Sequence, residues 1–202
     1  MDAQTLILFV LAVVPLICTP GPDILFAISQ GLAAGRRGAL RAVAGVLIGY
    51  SAHALLAAVG IAALVAASPM LFTVVKWLGV AYISWLAYRM LRSAWERRGD
   101  LEVVATPPVS LWRGFFTSFL NPKGILMYVA VLPQFVDPTQ AVAPQTLLLS
   151  AVFIGLCGLI YCVVGLAAAR SAGKALRDAV RRRIEAIAGG LLVGAAAKMA
   201  GA

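Results

Sequence analysis

The stretch CTPGPDIL, Cys18 to Leu25, breaks into an otherwise apolar first segment with two prolines, a glycine and an aspartate. A second stretch, FLNPKGIL, Phe119 to Leu126, does the same to the fourth apolar segment. Each places a polar or small residue before a proline and a charge directly behind it. Proline inside a helix removes one hydrogen bond and clashes with the preceding turn. In lipid the freed carbonyl must be met by protein or by a water-filled cavity. The residues also carry the logic of a helix start. Asn121 is a good N-cap and Pro122 suits the first helical position; Thr19 before Pro20, or Gly21 before Pro22, serves the same purpose in the first segment. Both stretches therefore read as the start of a second half-helix rather than as a simple kink.

The surrounding chain sets these breaks in a membrane. Of 202 residues, 62% are hydrophobic and 12% charged, and the mean hydropathy is +0.94. Soluble domains average about 45–50% apolar and about 25% charged residues. A net charge of +9 would suggest nucleic acid for a soluble protein. Here no basic stretch is interleaved with aromatics, and the charge follows the positive-inside pattern of membrane loops, so no nucleic-acid partner is expected. The expected partner is the lipid bilayer.

Six apolar segments follow one another, at about 4–33, 40–67, 70–91, 112–133, 144–169 and 183–201. Most approach the roughly 20 residues that span a bilayer. The last is the least hydrophobic, with Glu185 and a Gly/Ala-rich run, and whether it fully spans stays open. The first, MDAQTLILFVLAVVPLIC, has no basic n-region and reads as a retained helix rather than a cleaved signal. Fourteen of the 17 Lys and Arg residues lie at alternate connections, around Arg36, Arg97 and Arg182. Those connections are predicted to be cytoplasmic, with both termini outside. A polar linker, 93–110, divides one transmembrane domain, 1–202, into halves of about 1–92 and 111–202. The expected fold is an all-α membrane protein. Its six transmembrane helices form two inverted three-helix repeats, with helices one and four broken at their Pro-containing motifs.

In inverted halves the two new helix starts can face one central point. Each carries partial positive charge and unpaired N–H groups, which suits a carboxylate. A charge at a helix centre costs about 2.5–3.5 kcal/mol, so such a residue faces a cavity or a partner. Asp23 and Lys123 have opposite signs and are expected to pair when the site is empty. A zwitterion would replace that pair, its carboxylate meeting Lys123 and its ammonium Asp23. The substrate-binding or coupling set is thus Asp23, Asn121, Lys123 and His53, and the break motif comprises Thr19, Pro20, Gly21, Pro22 and Pro122. His53, the lone histidine, lacks a second metal ligand. It reads equally as a helix-to-helix hydrogen bond or as a proton carrier. Cys18, Cys157 and Cys162 form no CxxC or zinc spacing and read as small buried hydrophobes. No metal or cofactor is expected. Gly45 and Gly49 form GxxxG, which marks close packing within or between subunits and leaves a homodimer open; Gly155, Gly158 and Gly165 read as packing positions too.

The motifs TPGPD, SQGLAAGRRGALRAVAGVLIG and LNPKGILMYVAVLPQFVDP resemble the amino-acid exporter (LysE/RhtB) family nearly end to end. The GRRGALRAVAGVLIGYSAHALLAAVG stretch looks most like its homoserine, threonine and leucine exporters. The resemblance implies a multi-pass protein of the bacterial inner membrane that exports amino acids or close derivatives, such as neutral amino acids, homoserine or its lactone, with protons as coupling partner. It places Pro20, Gly21, Pro22, Asp23, Asn121, Pro122 and Lys123 at the family's signature positions.

Two other classes compete. An intramembrane enzyme, thiol-redox or hydrolytic, would need a CxxC, GxSxG or HExxH, and none is present. A non-transporting assembly protein would tolerate changes at Asp23 and Lys123. No nucleotide-binding loop is visible, so energy is expected from an ion gradient.

Overall fold

The computed structural model describes residues 1–95 and 110–170. The sixth apolar segment, nearly all of the linker 93–110, and the basic residues Arg97 and Arg182 lie outside the described residues. Among those described the chain is all helix, without a strand.

Helix α1, Ala3–Cys18, opens on Asp2, whose carboxylate accepts the Thr5 N–H at 2.7 Å. It closes at Thr19, which returns both its N–H and its hydroxyl to the Pro15 carbonyl, at 3.0 and 2.9 Å. The sequence left two candidates for the next helix start, and the second is the one used. Gly21 is extended at the N-cap and Pro22 takes the first turn of α2, Pro22–Ala67. Thr19 thus ends one helix rather than beginning the next.

The 46 residues of α2 are two helical arms, because the backbone leaves helical geometry at Ala34 and Gly35. Gly35 adopts φ 62°, ψ −154°, a region open essentially to glycine alone. The chain reverses there. Tyr50 hydrogen-bonds Asp23, 27 residues away, whereas a continuous helix would hold them about 40 Å apart at 1.5 Å per residue. The Arg36-containing connection expected between segments one and two is therefore a helical hairpin. Ser68 then caps α3, Pro69–Trp95, accepting the Leu71 N–H at 3.2 Å.

The fourth segment is broken as its proline implies. Helix α4, Leu111–Phe119, and the helical stretch from Pro122 to Phe135 meet at 52°. That stretch begins as α5, Pro122–Leu126, widens into a π turn over Met127–Val131 and tightens to 3-10 geometry over Leu132–Phe135. Pro133 lies at the change from wide to tight, where its missing N–H breaks the regular ladder. Helix α6, Val142–Arg170, completes the described bundle.

By length and composition, α2 and α6 can each cross a membrane, and the bent α4–α5 pair counts as a third candidate span. Small residues let the helices close on one another. A side chain at Gly31 would strike the Gly165 carbonyl, one at Gly45 the Leu111 carbonyl, and one at Gly49 the Ser118 hydroxyl. The GxxxG pair is thus engaged inside the chain, between α2 and α4. Gly165 serves the expected close packing against Ala27 and Ala39, while Gly155 faces open space.

Candidate functional site

Asp23 lies at the second position of α2, where the helix dipole favours an anion. It is fully buried. One carboxylate oxygen, Oδ2, accepts the Tyr50 hydroxyl at 2.6 Å and the Tyr161 hydroxyl from α6. The other, Oδ1, faces the Lys123 ammonium at 3.2 Å. The structure therefore brings the two oppositely charged residues of the two breaks together.

Lys123 occupies the second position of α5, the unfavourable end of a helix for a cation. Its side chain leaves that end and crosses to the first break. There the ammonium donates to the Thr19 carbonyl at 3.2 Å while it pairs with Asp23. A cation on the terminal carbonyls of α1 and an anion at the start of α2 both suit the helix dipoles. Gly21 makes room for the arrangement: a Cβ there would stand 3.1 Å from Asp23 Oδ1 and 3.3 Å from Lys123 Nζ.

Asn121 is buried, and its side-chain oxygen accepts the Lys123 N–H at 3.0 Å. This N-cap has two effects. It takes up the backbone donor that the sequence reading offered to an anion, so the cation at this break is the Lys123 side chain. It also deprives the Phe119 carbonyl of the N–H that a continuous helix would supply. His53 fills that vacancy: its Nε2 lies 3.0 Å from the Phe119 oxygen. A carbonyl only accepts, so Nε2 carries the proton. The imidazole stacks on Phe119, centroids 4.8 Å apart, and on Tyr128, 5.4 Å apart. His53 thus serves the second break, and a helix-to-helix hydrogen bond is what the structure shows for it.

Three residues that the sequence reading did not place in the site belong beside it. Tyr50 and Tyr161 hold Asp23, and Tyr128 donates to the Tyr50 carbonyl at 3.0 Å. A signal was available: phenols inside apolar segments need hydrogen-bond partners, and a buried carboxylate needs more than one donor. The cysteines are free thiols; Cys157 is in the core, and Cys18 and Cys162 are half-buried.

Two Pro-containing breaks joined by a cation–anion pair inside an apolar helical bundle are the arrangement that points to the binding site of a membrane transporter. The chain belongs to the LysE type translocator family, whose model matches residues 14–201. It is 36% identical over 154 residues to an uncharacterized membrane protein of Vibrio cholerae, covering 74% of this chain and 73% of that one. It is 36% identical over 159 residues to an uncharacterized membrane protein of Pseudomonas aeruginosa, covering 76% and 74%. It is also 34% identical over 161 residues to a leucine efflux protein of Klebsiella pneumoniae, covering 77% and 76%. No solved structure matches the chain.

Proposed function

We propose that this protein exports amino acids with uncharged side chains, or close derivatives such as homoserine and its lactone, across the bacterial inner membrane. The carrying observation is the Lys123–Asp23 pair, which joins the two breaks at 3.2 Å. A zwitterion offers the same two charges, so it can replace the pair without leaving either residue uncompensated; the lactone, which has no carboxylate, would meet Asp23 through its ammonium alone. Its carboxylate meets Lys123, and its ammonium meets an Asp23 already oriented by Tyr50 and Tyr161. The family membership and the leucine efflux relatives support the substrate class. Six spans in two inverted repeats would place both breaks at one depth, with the Arg-rich connections cytoplasmic.

The energy source in this reading is proton antiport. A neutral zwitterion exchanged for one proton moves one charge inward, worth about 3.5 kcal/mol at about −150 mV. That sustains an outward gradient of somewhat more than about two decades. A second reading, uncoupled facilitation, is favoured by one observation: with Asp23 and Lys123 paired, the empty site is electrically neutral and needs no proton to reorient.

The test is efflux of a panel of amino acids, homoserine and homoserine lactone from dipeptide-loaded cells, followed by counterflow in vesicles. Export by wild type and its loss in Lys123→Met, with normal membrane insertion, is the expected result. Wild-type export by Lys123→Met would assign the pair to structure alone. A protonophore that collapses concentrative transport supports antiport; if flux follows the substrate gradient regardless, the protein is a facilitator.

A further inference from the structure

We propose that the side-chain nitrogen of Asn121 is the second donor for the substrate's carboxylate, beside Lys123, and that a free carboxylate is therefore the group this transporter selects. The inference rests on the export reading above and narrows it, because an amino acid and a lactone carry the same ammonium and differ in the carboxylate.

The two amide atoms of Asn121 are in different situations. The side chain is buried, and the Lys123 N–H donates to one of its atoms at 3.0 Å. That atom is the oxygen, because the amide nitrogen only donates. The nitrogen, Nδ2, is buried and has no hydrogen-bond partner in the protein. Buried polar groups are nearly always paired, so a stranded donor asks for an acceptor. Capping alone does not require it: serine or threonine would take the same N–H without burying an amide.

The place of Asn121 ties this donor to the charged pair. At both helix starts the N-cap is followed by a proline and then by the charge, as Gly21, Pro22, Asp23 and as Asn121, Pro122, Lys123. At the first start the N-cap borders the pair, since a Cβ on Gly21 would stand 3.1 Å from Asp23 Oδ1 and 3.3 Å from Lys123 Nζ. At the second, the first turn lies against the phenol that holds Asp23: a Cβ on Gly124 would stand 2.7 Å from Cε1 of Tyr50. Standard bond lengths separate the two amide atoms by about 2.3 Å, which puts Nδ2 within about 5 Å of the Lys123 backbone nitrogen. The lysine side chain is rooted one bond from that nitrogen. A carboxylate that draws the ammonium off Asp23 thus finds two donors on one turn of chain, one for each of its oxygens.

These two donors distinguish a carboxylate from its neutral relatives. Hydrogen bonds to an ionised acceptor are about twice as strong as those to a neutral one. A carboxylate also replaces the counter-charge that Lys123 gives up on leaving Asp23. A lactone offers only a neutral carbonyl, and a simple amine offers no acceptor, so both leave the ammonium uncompensated.

The experiment reconstitutes wild type, Asn121→Ser and Asn121→Thr in proteoliposomes. Efflux of leucine, phenylalanine, alanine, homoserine and homoserine lactone is measured first, and wild type is expected to prefer homoserine to its lactone. For the amino acid moved best, KM is then compared with the inhibition constant of its decarboxylated amine. Asn121→Ser keeps a capping oxygen and removes the amide. It is expected to raise KM about tenfold or more, the scale of one hydrogen bond to a charged group. The preference for homoserine over the lactone should shrink with it, and the amine constant should stay where it is. If Asn121→Ser fails to reconstitute, Asn121→Thr carries the same comparison. An unchanged KM with export intact, or a KM and an amine constant that rise together, overturns the proposal and leaves Nδ2 to a buried water. If wild type moves none of the five compounds, the export reading fails first, so the two failures are distinct.

Discussion

The two helix breaks share a plan and differ in chemistry. At the first, the link from Thr19 to Gly21 is extended, the N-cap is a glycine without a side-chain bond, and a regular helix follows. At the second, the link is shorter, Asn121 caps with its side chain, and the helix beyond passes through π and 3-10 turns. The first supplies a short carboxylate fixed by two phenols from different helices. The second supplies an ammonium on a long side chain, 14% exposed, that reaches across to its partner. A fixed anion facing a reaching cation assigns unequal tasks to the two breaks. In the export reading, Asp23 would be the anchor and Lys123 the group that lets go.

That contrast is most sharply tested on the pair itself. Asp23→Asn and Lys123→Met are both expected to abolish export, but not to destabilise equally. Breaking a buried pair costs about 3–5 kcal/mol when the remaining charge has no compensation. Asp23→Asn should approach that range, because Lys123 then keeps only neutral acceptors and no counter-charge. Lys123→Met should cost less, because two hydroxyl donors remain on the carboxylate. The double variant should recover much of the stability and none of the transport. Thermal unfolding in detergent reads the first quantity and efflux the second. Equal losses from the two single variants would break the anchor-and-arm distinction.

Removing a phenol probes the anchor alone. Tyr161→Phe deletes a charge-assisted hydrogen bond, worth about 1.5–3 kcal/mol, and is expected to reduce export at least tenfold. An unaltered efflux rate would mean that Tyr50 fixes Asp23 without help.

At the other break, His53→Ala strands the Phe119 carbonyl, at a cost of about 1–3 kcal/mol. His53→Gln restores a donor and should recover both stability and transport, with the pH profile of export unchanged. A profile altered in His53→Gln would instead return His53 to the proton path.

The smallest effects are expected from the caps. Asn121→Ala should cost about 1 kcal/mol. Thr19→Val should cost less, since the Thr19 backbone N–H continues to close α1. Differential scanning of the two proteins ranks them, and a reversed order would show that the first break is the more tightly held.

Much of this was legible in the chain because its signals are local. Proline beside a capping residue announces each break, and a charge next to it in an apolar segment demands a partner. That logic leads to the Asp23–Lys123 pair across a hundred residues of sequence. The basic connection around Arg36 likewise falls at the turn that the backbone makes at Ala34 and Gly35. What stayed hidden depends on which face of one helix meets which face of another. The two phenols approach Asp23 from residues 27 and 138 positions away, and periodicity does not fix that rotation. The acceptor for His53 was hidden for a related reason, since it exists only because Asn121 takes the N–H that the Phe119 carbonyl would otherwise use. GxxxG announced close packing without naming α4 as the surface it meets.

The Lys123 ammonium touches Thr19, the cap that closes α1, and the first turn of α2 at once, so it spans the joint between them as a clasp does. A solute that draws the ammonium toward its own carboxylate unfastens that joint in the same motion. Occupancy of the site and freedom of the joint then become one variable. In the export reading, this contact would let the protein register a captured cargo mechanically.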